Sequence, residues 1–169
     1  MKTIYFVRHA KSDWSVAARS DHDRPLNARG RRDALKMAQW MSEKKIEVDS
    51  LIVSSACRTT MTAQYFLENL KISEQKMVIE PKIYESSAET IIKIIYSLNN
   101  NLNTVMIFGH NPAFTELANR FSTAQIDNVP TCGIFQIAAD VQDWHDFLPA
   151  QTKLVAFYYP KQFFLDALD

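Results

Sequence analysis

Arg8-His9 and His110 are the residues whose types and placement suggest chemistry. Arg8-His9 follows the apolar run Thr3-Ile4-Tyr5-Phe6-Val7, and Gly109-His110-Asn111-Pro112 follows a second run, Val105-Met106-Ile107-Phe108. A short β-rich run, a polar turn and then helical periodicity mark the opening of a β-turn-α unit. In open α/β sheets such turns gather outside the carboxyl ends of the strands, where ligands bind. A third unit repeats the pattern: Leu51-Ile52-Val53 runs into Ser54-Ser55-Ala56-Cys57-Arg58, and a helix is predicted over Thr59 to Leu70. Arg8, His9, Arg58 and His110 are therefore expected to share one edge of a sheet.

Two histidines and two arginines in one place suit phosphoryl transfer. A neutral imidazole can accept a phosphoryl group covalently and split hydrolysis into two easier steps, and His9 is the expected nucleophile. Arginine's planar fork of donors suits the charge that spreads over the equatorial oxygens, a task for Arg8 and Arg58. His110 is expected to donate to the same oxygens, and to offset charge if held protonated beside them. Lys11, Ser12 and Ser15 in the loop after His9, and Asn111 beside His110, are candidates to complete the phosphate pocket. His22 and His145 read as ordinary surface or hydrogen-bonded histidines.

The elements that must position these groups can be read around them. Residues 9 to 26 form a long polar loop, a length that usually marks function. Asn27 is expected to cap a helix running to about Lys45, with Ala34, Leu35, Ala38 and Met41 facing the core. A strand near Met77-Val78-Ile79 leads through Pro81 to the loop Ile83-Tyr84-Glu85. Ser86-x-x-Glu89 then reads as the capping box of an isoleucine-rich helix, ended by the asparagines at 99 to 101. Pro112 fits the first turn of a helix with the apolar stripe Phe114, Leu117, Ala118 and Phe121. Strands follow at Gly133 to Ala138 and Lys153 to Tyr158. The stretch between them is too short for a confident crossover helix, so that edge is expected to be antiparallel. The fold class implied is α/β: a three-layer α/β/α sandwich with a mostly parallel central sheet.

Bulk properties exclude several classes. At 169 residues with 47% apolar residues the chain can bury one substantial core, and a single domain over residues 1–169 is expected. No apolar run is long enough to span a membrane and no signal peptide is read, so a cytoplasmic protein is expected. The formal net charge is zero, so nucleic acid and membrane are not expected partners. Six of the eight arginines, Arg8, Arg19, Arg24, Arg29, Arg31 and Arg32, lie near the N-terminus, a local basic rim suited to a phosphorylated ligand. Arg29, Arg31 and Arg32 read more simply as solvating a helix face.

Cys57 and Cys132 lack the spacing of a redox or zinc site and are expected as reduced thiols. Neither has an arginine six residues downstream, as a cysteine-dependent phosphatase loop requires. Asp21-His22-Asp23 offers three ligand types in a row, but adjacent residues on an extended chain point apart, and no metal is expected. Three glycines in all rule out a Walker loop or a dinucleotide fingerprint, and no cofactor is expected.

Taken together, Arg8-His9-Ala10-Lys11-Ser12-Asp13-Trp14-Ser15 resembles the Arg-His-Gly signature of the histidine phosphatase (phosphoglycerate mutase-like) superfamily. Gly109-His110-Asn111-Pro112 resembles its second histidine motif, and Arg58 falls where the family places its second phosphate-binding arginine. The short length and Asp23-Arg24-Pro25-Leu26-Asn27-x-x-Gly30 look most like its SixA-type phosphohistidine phosphatase branch. The resemblance implies that His9 is phosphorylated, that Arg8, Arg58 and His110 bind the phosphoryl group, and that no metal takes part. Ser15 stands where many members carry a phosphate-contacting asparagine, and Ala10 replaces the usual glycine. The family usually supplies a general acid from the loop after the third strand, for which Glu85 is the candidate, although SixA-type members tend to lack it.

Three functions follow in order of preference. The first is a cofactor-independent phosphatase acting on phosphohistidine in a protein, because the chain lacks the length for capping insertions and an open site admits a protein surface. The second is a phosphomonoesterase acting on a small phosphorylated metabolite, with Glu85 as acid. The third is a phosphate-binding module without turnover, against which the intact set Arg8, His9, Arg58 and His110 argues.

Overall fold

The computed structural model describes residues 1–17 and 20–164. Arg19, one of the arginines expected at the basic rim, lies outside the described residues. Six strands form one sheet: β1 (Lys2–Arg8), β2 (Ser50–Val53), β3 (Met77–Ile79), β4 (Thr104–Gly109), β5 (Ile134–Ala139) and β6 (Thr152–Tyr158). Their order across the sheet is β3-β2-β4-β1-β5-β6. The pairs β1/β4, β2/β4 and β2/β3 are parallel, whereas β5 runs antiparallel to both β1 and β6. The predicted antiparallel edge is therefore two strands wide. Between β5 and β6 the chain makes short 3-10 turns rather than a helix.

Four helices cover the two faces: α1 (Ala28–Glu43), α2 (Cys57–Asn69), α3 (Ala88–Tyr96) and α4 (Ala113–Arg120). β1 shows why both faces need cover. Its alternate side chains Ile4 and Phe6 enter the core under α3 and α4, while Tyr5 and Val7 enter the core under α1 and α2. A strand buried on both faces reads as an uninterrupted apolar run, as this one does. No helix among the described residues is long and apolar enough to cross a membrane.

Some element edges differ from expectation. Asn27 caps α1 as expected, accepting from the Gly30 N–H at 2.8 Å. Met37 is buried in that helix, but Leu35 is 39% exposed rather than core-facing. α2 opens at Cys57, so Arg58 sits in its first turn instead of before it. The cap of α3 is Ser87, whose Oγ accepts from the Thr90 N–H. Ser86 is diverted because its hydroxyl donates to the Ile83 carbonyl at 2.8 Å, and Glu89 pairs with Arg120 across to α4. Arg29 and Arg32 do more than solvate α1: both approach the carboxylate of Asp33, which is buried. Burial pushes that carboxyl above its ordinary range, opposed by the two guanidinium groups.

The loop after β1 is pinned at its base. Ser12 bridges to Leu26, the Asp13 N–H donates to the Pro25 carbonyl at 2.8 Å, and the Asn27 N–H donates to the Lys11 carbonyl at 3.0 Å. Gly30 makes this seat possible, because a Cβ there would lie 2.0 Å from the Lys11 carbonyl oxygen. The long loop thus leaves and rejoins the body at one narrow neck, and α1 closes over its start.

Candidate active site

β1, β4 and β2 are sheet neighbours whose carboxyl ends lie side by side, with Arg8 in register with Gly109 and Val53 with Phe108. The residues just past these ends are His9, His110 and the turn that leads into Arg58. The chain leaves β1 toward β2 on one side and leaves β4 toward β5 on the other. Such a reversal opens a crevice at the strand ends. The structure therefore brings together the four residues that the sequence placed at one edge.

His9 is 8% exposed, and its ring lies 5.2 Å from that of His110, centroid to centroid. Its Nδ1 is 2.8 Å from the Ala10 carbonyl oxygen. A carbonyl can only accept, so Nδ1 carries the proton and Nε2 keeps its lone pair. Burial, with His110, Arg58 and Arg8 nearby, drives the His9 pKa down to about 3, against a smaller opposing effect of the Ala10 bond. A neutral imidazole with a free Nε2 is what nucleophilic attack on phosphorus requires.

His110 Nε2 lies 2.7 Å from the Ser54 hydroxyl and 3.3 Å from that of Thr59. Ser54 Oγ also accepts from the Ala56 N–H. Nδ1 of the same ring is a buried atom with no protein partner. Burial first, and then Arg58, lowers the His110 pKa to about 4. The unliganded ring is thus neutral and offers a single N–H.

Arg58 Nη1 donates to the Asp21 carbonyl at 2.8 Å and Nη2 to the Asp21 carboxylate at 3.1 Å. Arg8 Nη1 donates to the Val129 carbonyl at 2.8 Å. The Nε atoms of both arginines are buried without protein partners. Burial and the Arg58 charge lower the Arg8 pKa. Thr62 joins the two halves, its Oγ1 accepting from the Ala10 N–H and donating to the Arg58 carbonyl.

Asp21 and Tyr84 join this cluster in a way that sequence reasoning missed, and Arg24, expected only at a basic rim, joins them. Asp21 receives Tyr84 Oη at 2.8 Å and Arg24 Nε at 3.1 Å besides Arg58. The Tyr84 hydroxyl first, with the two arginines, holds its carboxyl down to about 2. The Tyr84 hydroxyl is in turn pushed up to about 12 by burial and by that carboxylate. The triplet Asp21-His22-Asp23 is thus a 3-10 turn that clamps an arginine. Among the described residues no group of three or more His, Cys, Asp or Glu side chains could hold a metal ion.

The remaining candidates are placed as follows. Ser12 is buried and accepts from Arg24 Nη1 at 2.6 Å. Ser15 is exposed and its backbone and hydroxyl both donate to Asp13. Lys11 is exposed, with its carbonyl in the neck of the loop. The Asn111 amide is spent on Asn128, Val129 and Thr115, so it ties the turn after β4 to the segment before β5. Glu85 is exposed at φ 53° beside Tyr84, and makes no hydrogen bond or ion pair with a described residue. His22 bonds Ser55 Oγ at 2.9 Å and meets the Tyr84 ring edge-on. His145 is exposed, its ring 5.5 Å from that of Tyr96. Both cysteines are free thiols, and burial drives that of Cys132 far above its usual range.

Comparison with known proteins agrees with this geometry. The model of the histidine phosphatase superfamily (branch 1) matches residues 4–94, and the chain belongs to that family. It is an α/β protein of the phosphatase and mutase type. An uncharacterised protein of Mycobacterium tuberculosis is 28% identical over 92% of this chain and 100% of its own length. An uncharacterised chloroplastic protein of Arabidopsis thaliana is 29% identical over 86% of this chain and 70% of its own. Among solved structures, the protein histidine phosphatase SixA complexed with tungstate superposes with a TM-score of 0.80 at 18% identity, covering 95% of this chain and 98% of that one. That likeness establishes the fold.

Proposed function

We propose that this chain is a cofactor-independent phosphatase that hydrolyses phosphohistidine in a protein, through a covalent phosphohistidine on His9. The observation that carries the reading is the grouping about His9 of Arg8, Arg58 and His110, each near enough to lower its pKa and each keeping one buried side-chain nitrogen without a protein partner. Buried polar groups are ordinarily paired, and two arginines and a histidine with spare nitrogens beside a neutral imidazole suit a phosphoryl group, with its three equatorial oxygens. The structural likeness to the protein histidine phosphatase SixA supports the choice of substrate.

In the first step the His9 Nε2 lone pair forms a bond to phosphorus as the bond to the substrate imidazole breaks, and that imidazole takes up a proton from solvent water. In the second, water attacks the phosphorus and the P–N bond to His9 breaks, releasing phosphate and restoring the neutral ring. Arg8, Arg58 and His110 stabilise the charge in both steps because they donate to oxygens present throughout. An imidazole leaving group departs readily, so the first step demands little of a general acid. Glu85, exposed and unpaired, would matter for an alkyl ester, where the leaving oxygen must be protonated.

The test is phosphate release from a phosphohistidine-bearing carrier domain, beside an aryl phosphate and a panel of sugar phosphates. The carrier is expected to be preferred. His9→Ala is expected to cost at least about a thousandfold in kcat, and a chelator to change nothing. Glu85→Gln should spare the carrier and slow esters. Preference for one sugar phosphate, with strong loss in Glu85→Gln, would overturn the protein-substrate reading. Activity that survives His9→Ala would overturn the mechanism.

A further inference from the structure

Beside the candidate site the loop after β1 displays two large apolar side chains to solvent, Trp14 at 74% and Val16 at 48% exposure. Trp14 is nevertheless held in place. The Arg24 guanidinium carbon lies 3.4 Å from its ring centroid, and Arg24 is itself buried, with Nη1 on Ser12 and Nε and Nη2 on Asp21. Asp21 grips Arg58. One face of the indole thus rests on a cation two contacts from the phosphate-binding arginine, and the ring remains largely open to solvent.

We propose that this rim is the docking surface for the phosphohistidine-bearing face of a protein substrate, with Trp14 stacked on Arg24 as its anchor and an apolar side chain of the partner packed against it. The inference rests on the protein-substrate reading above. Its physical argument is one of reach. His9 is nearly buried at the floor of the site, and a histidine side chain is short, so a phosphohistidine meets His9 only when the backbone that carries it lies on the rim. A small phosphorylated molecule needs no such contact. Tryptophan and arginine are the side chains enriched at interface hot spots, and one already immobilised loses little freedom on binding. Preorganisation is visible in the neck of the loop, where Asp13, Ser12 and Lys11 are tied to Pro25, Leu26 and Asn27.

The test compares wild type, Trp14→Ala, Trp14→Phe and Val16→Glu on a phosphohistidine carrier domain and on two small substrates, free phosphohistidine and an aryl phosphate. Trp14→Ala is expected to raise KM for the carrier about tenfold and to leave kcat/KM for the small substrates within about twofold. Trp14→Phe should restore most of the loss. Val16→Glu, which leaves the stack on Arg24 in place, should raise KM for the carrier alone. Equal losses on carrier and small substrates would mean that Trp14 acts only by bracing Arg24, and would overturn the docking surface. So would an unchanged carrier KM, including the case in which Trp14→Ala alters the oligomeric mass and assigns the rim to a second copy. Wild-type enzyme that cleaves the small substrates but not the carrier would overturn the protein-substrate reading and the surface with it.

Discussion

Asp21 holds in place Arg58, an arginine to which the proposed mechanism gives the phosphoryl group. Its carboxylate and carbonyl take both Nη atoms of Arg58, while the Nε of that guanidinium has no protein partner. Asp21→Asn keeps the size and removes the charge. Arg58 should then lose its fixed aim, and kcat should fall roughly tenfold to a hundredfold, short of the loss expected for removing a donor outright. A second readout separates this from loosened packing. The Asp21 charge raises the His110 pKa against the effect of Arg58, so the variant's His110 should titrate at still lower pH by NMR. An unchanged His110 titration with intact kcat would show that the clamp contributes nothing to catalysis. Arg8, His9, Arg58 and His110 were legible in the sequence because each follows an apolar run whose end fixes its place. Asp21 was not, since its partners Arg58 and Tyr84 lie 37 and 63 positions away, a separation that leaves no local pattern.

At the scale of elements the same difference recurs between what periodicity reveals and what tertiary contact decides. Strand and helix order followed from apolar spacing, whereas the ends of helices turned on which of two adjacent residues was free to cap. Ser86 and Ser87 are chemically equal, and only the bond from Ser86 to Ile83 selects Ser87. The neck of the β1–α1 loop is a further case, because no spacing rule reports that α1 must approach the backbone of Lys11. Gly30→Ala is the sharp test of that neck. Its Cβ would stand 2.0 Å from a carbonyl oxygen, and backbone cannot yield as a side chain can. We expect a loss of at least about 2 kcal/mol in denaturant unfolding. Because Lys11 is two residues from His9, the surviving folded enzyme should also turn over more slowly. A fully stable and active variant would mean that α1 shifts without cost.

For the whole molecule, the site's chemistry sets a dependence of stability on pH. His9 and His110 are held at about 3 and about 4 in the native state, against an ordinary histidine value of about 6.5 in the unfolded chain. Below about pH 6.5 the unfolded chain therefore binds protons that the native chain refuses, and stability falls as pH falls. Each histidine contributes up to about 1.4 kcal/mol per pH unit between its two values. Asp21 adds to the same trend at lower pH: its depressed pKa gives stability that is present above about pH 4 and is lost only below that. Between pH 6.5 and 4 the histidines should thus set the slope. Denaturant unfolding from pH 7.5 down to 5 should show it for wild type and a much flatter profile for His9→Ala/His110→Ala. The double variant should also be the more stable protein at pH 5 relative to its own value at 7.5. A slope that survives in the double variant would place the acid sensitivity elsewhere in the chain. The burial that keeps His9 and His110 neutral at pH 7 is then also the source of the protein's sensitivity to acid.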